Sequence, residues 1–171
     1  MYGTTTQGGS SGEGTVFAVN TDSTGFTNLH HFTATSALEV NDDGAYPNAE
    51  LLLSGQTLYG TASKGGSSGL GTVFALNTNG TGFTILHRFT GGTDGAAPVA
   101  GLIPSGTTLY GTTSGGGTGG TGTVFAVKAD GAAFTILHTF EPTHRCGSAA
   151  SRSIEGDCLA LVAMPILTPQ G

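Results

Sequence analysis

Residues 57–89 read TLYGTASKGGSSGLGTVFALNTNGTGFTILHRF. Within this stretch, residues 57–63, 72–77 and 83–89 are rich in β-branched and aromatic side chains, and the segments between them are rich in Gly, Ser, Thr and Asn. Runs of this kind bounded by turn residues predict short strands, and the glycines favour tight or bulged hairpins. With a further strand predicted over residues 49–53, the stretch indicates a four-stranded antiparallel sheet.

The pattern recurs along the chain at constant internal spacing. The recurring motifs are Tyr-Gly-Thr from Tyr2, Tyr59 and Tyr110, Gly-Thr-Val-Phe-Ala from Gly14, Gly71 and Gly122, and Phe-x-x-Leu-His-x-Phe from Phe26, Phe83 and Phe134. Every series advances by 57 residues and then by 51. Self-similarity of this kind is the signature of a repeat architecture, and four antiparallel strands per repeat form the blade of a β-propeller.

A fourth motif, Asp-Gly-Ala-x-Pro, begins at Asp43 and Asp94, each sixteen residues before the next Tyr of the series. If the end of the chain is read as continuing into its beginning, Asp157 occupies the same place. Cys158 and Leu161 then stand where the motif has Gly and Pro, so a divergent tail is the alternative. The predicted organisation is a single domain, 1–171, of three circularly cut repeats: first-repeat strands at 1–32, a second repeat at 43–89, a third at 94–140, a variable loop at 141–157 and a closing strand at 158–171.

The predicted fold is all-β and consists of β-propeller blades, with three four-stranded antiparallel repeats per chain. Propellers have about four to eight blades, so three blades leave unpaired strand edges at both ends. Exchange of terminal strands between two chains would close a six-bladed ring as a homodimer. The alternative is a monomer in which one chain closes as a pseudo-threefold β-trefoil or β-prism.

The quoted motifs resemble the Gloeo/Verruco (GloVer) tandem repeat, which joins a YGTT strand, a Gly-rich turn, GTVF, an F-x-x-L-[HY]-x-F strand and a DGA-x-P turn. The resemblance covers about residues 1 to 140, and the tail from Pro142 onward departs from it. It implies a propeller-like repeat of bacterial proteins that are secreted or at the cell surface. No settled biochemical activity comes with it.

Composition restricts the class of partner. The 171 residues carry a formal net charge of −6 with only 5 Lys and Arg, and no basic cluster is present, which argues against nucleic acid. No apolar run is long enough to predict a membrane span, and the first residues do not resemble a signal peptide. Cys146 and Cys158 could form a local disulfide or remain thiols.

The acidic positions are the candidate metal site. Asp43, Asp94 and Asp157 precede the strand that usually lines a propeller tunnel, so a closed ring would bring repeated carboxylates to one mouth. With Asp42 beside them, these oxygen ligands predict a Ca²⁺ site that would relieve the repulsion between like charges. The alternative is that each Asp is a turn residue that bonds to nearby backbone.

Histidines give a second set of candidates. His30, His87 and His138 recur between an apolar residue and a Phe, which favours a structural role over metal ligation. His144 does not recur and lies in the variable loop, so it is the candidate catalytic residue, as a general base.

Two functions from different classes follow. The first is a propeller-type ligand-binding protein with a Ca²⁺-binding acidic tunnel mouth and a small-molecule or glycan ligand. The alternative is a Ca²⁺-dependent hydrolase of small phosphodiesters, lactones or esters, by analogy with six-bladed propellers that hold Ca²⁺ in the tunnel. The absence of any recognised catalytic motif favours the first. A filament unit is a third possibility if the seams propagate.

Overall fold

The computed structural model describes residues 1–142, which form eleven β-strands and no helix. The strands are β1 Tyr2–Thr5, β2 Thr15–Ala18, β3 Thr27–His31, β4 Leu52–Ser54, β5 Thr57–Ala62, β6 Thr72–Asn77, β7 Thr84–Arg88, β8 Ile103–Ser105, β9 Thr108–Thr112, β10 Thr123–Lys128 and β11 Phe134–Thr139. Among these residues there is accordingly no apolar helix of membrane-spanning length.

The strands form three antiparallel sheets in which neighbours along the chain are neighbours in space. Their orders are β1-β2-β3, β4-β5-β6-β7 and β8-β9-β10-β11, which we call sheets 1, 2 and 3. The all-β class and the antiparallel repeats predicted from the sequence are therefore confirmed. Sheet 1 has three strands within the described residues, and the strand predicted to complete it, 158–171, lies outside them.

The first strand of sheet 2 is shorter than predicted. The expected strand over residues 49–53 is replaced by β4, Leu52–Ser54. The reason is that the preceding segment is bonded elsewhere: Tyr46 N–H donates to the Glu13 carbonyl of the first repeat at 2.9 Å, and Ala45 N–H donates to the Lys64 carbonyl in the Gly-rich hairpin of the second repeat at 2.8 Å. Pro47 follows and has no N–H with which to extend a ladder.

The hydrophobic core lies between sheets rather than inside each one. At the first junction, between sheets 1 and 2, the fully buried Phe32 packs against Phe74 with ring centroids 5.4 Å apart. At the second junction, between sheets 2 and 3, Phe89 packs against Phe125 at 5.3 Å. In the described part of the chain, neither buried cluster combines residues of sheets 1 and 3. The sheets therefore form an open stack, like successive blades.

Each sheet carries a β-bulge at the same place in the pairing of its last two strands. In sheet 2, Phe74 lies opposite Ile85 and Val73 lies opposite His87, so Leu86 is the extra residue. Ile85 packs into the first junction, whereas Leu86 packs into the second. A bulge changes which face a side chain takes, and here it lets Leu86 and His87 both reach the following sheet.

Candidate functional site

The repeated histidines lie at the junctions between sheets, where each contacts the next repeat. His30 stacks on Phe83 with ring centroids 3.8 Å apart and planes inclined by 7°. His87 stacks on Phe134 at 3.5 Å and 5°. In both pairs the phenylalanine belongs to the repeat that follows the histidine, so these side chains connect the repeats.

The aspartate of the Asp-Gly-Ala-x-Pro motif completes each contact. Asp43 Oδ2 accepts a hydrogen bond from His30 Nε2 at 3.0 Å, and its carboxylate also accepts from the backbone N–H and the hydroxyl of Thr33. Asp94 repeats this arrangement, at 3.2 Å from His87 Nε2 and 2.9 Å from Thr90 N. We call each set of His, Asp, Thr and following Phe a repeat latch.

Burial and hydrogen bonding act in opposite directions on these carboxyl groups. Burial favours the neutral acid of Asp43 and Asp94, but hydrogen bonds from the threonine and histidine of each latch outweigh it and lower the pKa of both. Burial also lowers the pKa of His87, with Asp94 opposing the shift. The second latch therefore favours an ionised Asp94 beside a neutral His87.

The glycine of the motif is required by the turn that positions the aspartate. Gly44 has φ +106°, and a Cβ there would lie 2.5 Å from Thr72 Oγ1 and 2.9 Å from Ala62 Cβ. Thr72 uses that hydroxyl to donate to the Asp43 carbonyl at 3.2 Å. A side chain at residue 44 would therefore displace the segment that carries Asp43.

The latch geometry supports a structural role for the histidines. One face of the His87 ring is covered by Phe134, its Nε2 is bonded to Asp94, and the side chain is only 19% exposed. A general base needs an approach path for the proton that it removes, and the covered ring leaves little room for one. This agrees with the structural interpretation of the repeated histidines.

Of the remaining predicted site residues, Asp42 alone lies in the described part of the chain. Asp42 is exposed, and its backbone carbonyl accepts a hydrogen bond from Arg88 at 3.0 Å. Asp157 and His144 lie outside the described residues. Within residues 1–142, no group of three His, Cys, Asp or Glu side chains is arranged to hold a metal ion. The calcium site stays a prediction.

The acidic loop of the first junction is held by its own contacts. Asn41 Oδ1 accepts from Gly44 N and Gly66 N at 2.9 Å each, while its amide donates to the carbonyls of Thr33 and Gly44. Glu39 pairs with Lys64 at 2.7 Å. These bonds connect the loop to the Gly-rich hairpin of the second repeat, at the end of the sheets where both kinds of loop meet.

Sequence reasoning missed two residues at that end, Glu13 and Tyr46. Glu13 Oε1 accepts a hydrogen bond from the Thr35 hydroxyl at 2.7 Å. Its other oxygen, Oε2, is buried and has no hydrogen-bond partner within the described residues. The negative charge of Glu13, with a smaller effect of hydrogen bonding between the two side chains, raises the pKa of the Tyr46 phenol. We call Glu13, Thr35, Glu39, Tyr46 and Lys64 the junction cluster.

The junction cluster could have been predicted by comparing equivalent positions of the repeats. The backbone N–H of Ala97 donates to the Leu70 carbonyl at 2.8 Å, as that of Tyr46 does to the Glu13 carbonyl. Leu70 and Ala97 are thus the second-junction equivalents of Glu13 and Tyr46. An ionisable residue at a position that is apolar in the next repeat is not explained by the needs of the fold.

Comparison with known proteins identifies a family and a distant structural likeness. A family model described as the Gloeobacter/Verrucomicrobia repeat matches residues 1–161, which confirms the resemblance and extends it beyond Pro142. No curated protein matches. A crystal structure of a "putative 6-phosphogluconolactonase" from Bacteroides fragilis NCTC 9343 is similar at 22% sequence identity and a TM-score of 0.42. The likeness covers 80% of this chain, which spans about a third (33%) of that protein.

Proposed function

This chain belongs to the Gloeobacter/Verrucomicrobia repeat family, and from that premise we propose that it is a non-catalytic binding module of the β-propeller type. Its three sheets act as blades, and two copies complete a six-bladed ring as a homodimer. The stacking of sheets through inter-sheet cores supports the blade interpretation over a trefoil or a prism. The ligand surface is the junction cluster at the loop-rich end.

The observation that carries the proposal is the buried carboxylate oxygen of Glu13, Oε2, which has no hydrogen-bond partner of ordinary geometry among the described residues. A buried carboxylate oxygen that accepts no hydrogen bond lowers the stability of the folded protein by about 1 to 3 kcal/mol, and by more when the group is charged. A bound ligand that donates a hydrogen bond to it removes this cost. Glu13 Oε2 is such an atom within the described residues, and the equivalent position in the second repeat is Leu70. A feature that costs stability and is absent from the neighbouring repeat favours a role in binding.

The chemistry of the cluster favours a hydroxyl-rich ligand, and we propose a glycan. Glu13 and Glu39 offer acceptors, Lys64 offers donors, and the Tyr46 phenol can both donate and accept. Lys64 and Glu39 are 43% and 57% exposed, so both can reach a ligand in solution. Such a mixed set of donors and acceptors suits sugar hydroxyls better than an anion or a cation alone.

Binding ranks ahead of the hydrolase alternative because of the latches. Two of the three described aspartates that were candidates for holding Ca²⁺, Asp43 and Asp94, already accept hydrogen bonds from histidine and threonine. A calcium ion there would compete with those donors. The proposed binding function therefore stands without a metal ion, and calcium binding by these residues remains a separate prediction.

The test is a glycan array probed with the full-length protein, followed by calorimetry on any glycan that binds. The matched variants are Glu13→Leu and Tyr46→Ala, which install the residues of the second junction and so preserve a backbone that already accommodates them. Lys128→Ala is the control, because Lys128 ends β10 at the opposite end of sheet 3.

We expect the wild type and Lys128→Ala to bind the same glycans. Each cluster variant should bind at least about tenfold more weakly, which corresponds to about 1.4 kcal/mol. Failure of the wild-type protein to bind any glycan would overturn the proposed ligand class. Equal binding by the cluster variants would overturn the proposed location.

A further inference from the structure

The two end faces of the stack are complementary in the same way as the internal junctions. At each internal junction a Phe of the later repeat, Phe83 just before β7 or Phe134 at the start of β11, stacks on the His of the earlier repeat. The face of sheet 1 has a Phe without such a histidine, and the face of sheet 3 has a histidine without such a Phe within the described residues. These faces carry the two halves of one more junction.

Exposure shows how much apolar surface each half leaves uncovered. On sheet 3, Phe140 is 44% exposed and Leu137 is 53% exposed, whereas their second-repeat equivalents, Phe89 and Leu86, are 0% and 8% exposed. His138 is also exposed, and its described aromatic contact is with Phe140 alone. The face of sheet 3 therefore has the residues of a junction without the sheet that would cover them.

On sheet 1, the opposite half is uncovered. Phe26 is 59% exposed, and within residues 1–142 its one aromatic contact is with Phe17 of its own sheet, with ring centroids 5.5 Å apart. Met1, which precedes Tyr2 as Leu58 precedes Tyr59, is 70% exposed, whereas Leu58 is fully buried. Four of the eight large hydrophobic residues that are exposed in the described chain thus lie on these two faces.

We propose that the sheet 3 face of one copy binds the sheet 1 face of a second copy of this chain, with His138 stacked on the partner's Phe26. The argument for this occupant is continuity with the internal junctions: the same residue types at the same repeat positions already form two such interfaces. The contact is head-to-tail, so it closes a ring or propagates, depending on the rotation between copies. This inference deepens the proposed ring but is independent of ligand binding.

The test is the molar mass of the full-length chain in solution, measured by light scattering behind size exclusion over a range of concentrations. The variants are Phe26→Lys, which blocks the sheet 1 face, and Leu137→Asp, which blocks the sheet 3 face. Leu38→Asp is the matched control, because Leu38 is 81% exposed and lies in the loop after sheet 1. Circular dichroism melting of each variant reports whether it remains folded.

We expect twice 16.9 kDa for the wild type and for Leu38→Asp, and 16.9 kDa for each face variant alone. Mixing the two face variants should restore a two-copy species, because one intact pair of faces remains between them. A wild-type mass that grows with concentration and is lost in both variants would support the face pairing and overturn the closed ring. A monomeric wild type, or a mixture that stays monomeric, would overturn the inference and indicate that other residues cover these faces.

Discussion

The ring of His87 lies parallel to that of Phe134, 3.5 Å away at the centroids, although the two residues belong to successive repeats. His30 and Phe83 repeat this relationship at the preceding junction. A motif that looks like a ligand set in sequence therefore serves as a connection between repeats.

Removing the latch carboxylate should destabilise the protein. We expect Asp94→Ala to lower the free energy of unfolding by about 1 to 3 kcal/mol, because the donors on His87 and Thr90 lose their acceptor. Urea denaturation measures the change. Asp130→Ala is the control, since Asp130 is exposed and accepts only from the nearby Ala132 N–H. Equal losses in the two variants would contradict a special role for the latch.

Stability should fall on mild acidification. The pKa of His87 is lower in the folded protein than in the unfolded chain, so the unfolded state binds the proton more readily. The contribution of His87 is therefore complete above the ordinary His pKa of about 6.5 and is lost as the pH falls below it. Because the pKa of Asp94 is also lowered, its contribution to stability is likewise lost on acidification, as the pH falls below about 4.

The measurement is urea denaturation at about pH 7.5 and about pH 5, on either side of the ordinary His pKa. His87→Asn should lose less stability between these values than the wild type does. A wild type that is equally stable at both pH values, or a variant with the full pH dependence, would show that His87 does not carry the effect.

The glycine in the aspartate turn should not tolerate alanine. Gly44→Ala combines an unfavourable φ of +106° with contact against Thr72, so we expect a cost of about 2 to 4 kcal/mol. Gly106→Ala is the matched control, because Gly106 also has a positive φ, +58°, but nothing within 4 Å of its added Cβ. Its cost should be about 1 to 2 kcal/mol. Similar costs would mean that the close approach is unimportant.

Adding or removing calcium distinguishes the two interpretations of the aspartates, as latch residues or as metal ligands. If Asp43 acts only in its latch, the melting temperature should be the same in calcium chloride and in EDTA, and Asp43→Asn should lower it equally in both. A calcium-dependent rise in the wild type that disappears in Asp43→Asn would instead support the predicted metal site. Differential scanning calorimetry in the two buffers distinguishes these outcomes.

Much of the fold could be predicted because the same strand and turn pattern occurs three times in the sequence. The strands β5 and β6 follow from β-branched runs bounded by glycine, and the constant spacing of the motifs gives one sheet per repeat. The predicted start of β4 was wrong because Tyr46 bonds to the preceding repeat and Ala45 bonds to Lys64 in the Gly-rich hairpin of its own repeat, so neither extends the strand. Hydrogen bonds between repeats cannot be read from the alternation of apolar and polar residues within a single repeat.

The site was less predictable, for a related reason. Asp43 and His30 are thirteen residues apart, and no pattern in the sequence shows that they meet. Carboxylates at equivalent positions predicted a shared metal, and the sequence did not show that Asp43 and Asp94 are each hydrogen-bonded inside their own junction. Glu13 and Tyr46 were not predicted because they do not recur in the next repeat. For these residues the difference between repeats, not the similarity, indicates a function.

The most direct test of the latch is a double-mutant cycle on His87 and Phe134, with unfolding free energies measured for the wild type, His87→Ala, Phe134→Ala and the double variant. Stacked aromatic pairs contribute about 0.5 to 1.5 kcal/mol beyond their burial, so we expect a coupling energy of that size. The same cycle on His87 and the exposed Phe26, which belongs to sheet 1, should give about zero within one chain. A coupling near zero for His87 and Phe134 would contradict the account that these residues connect the repeats.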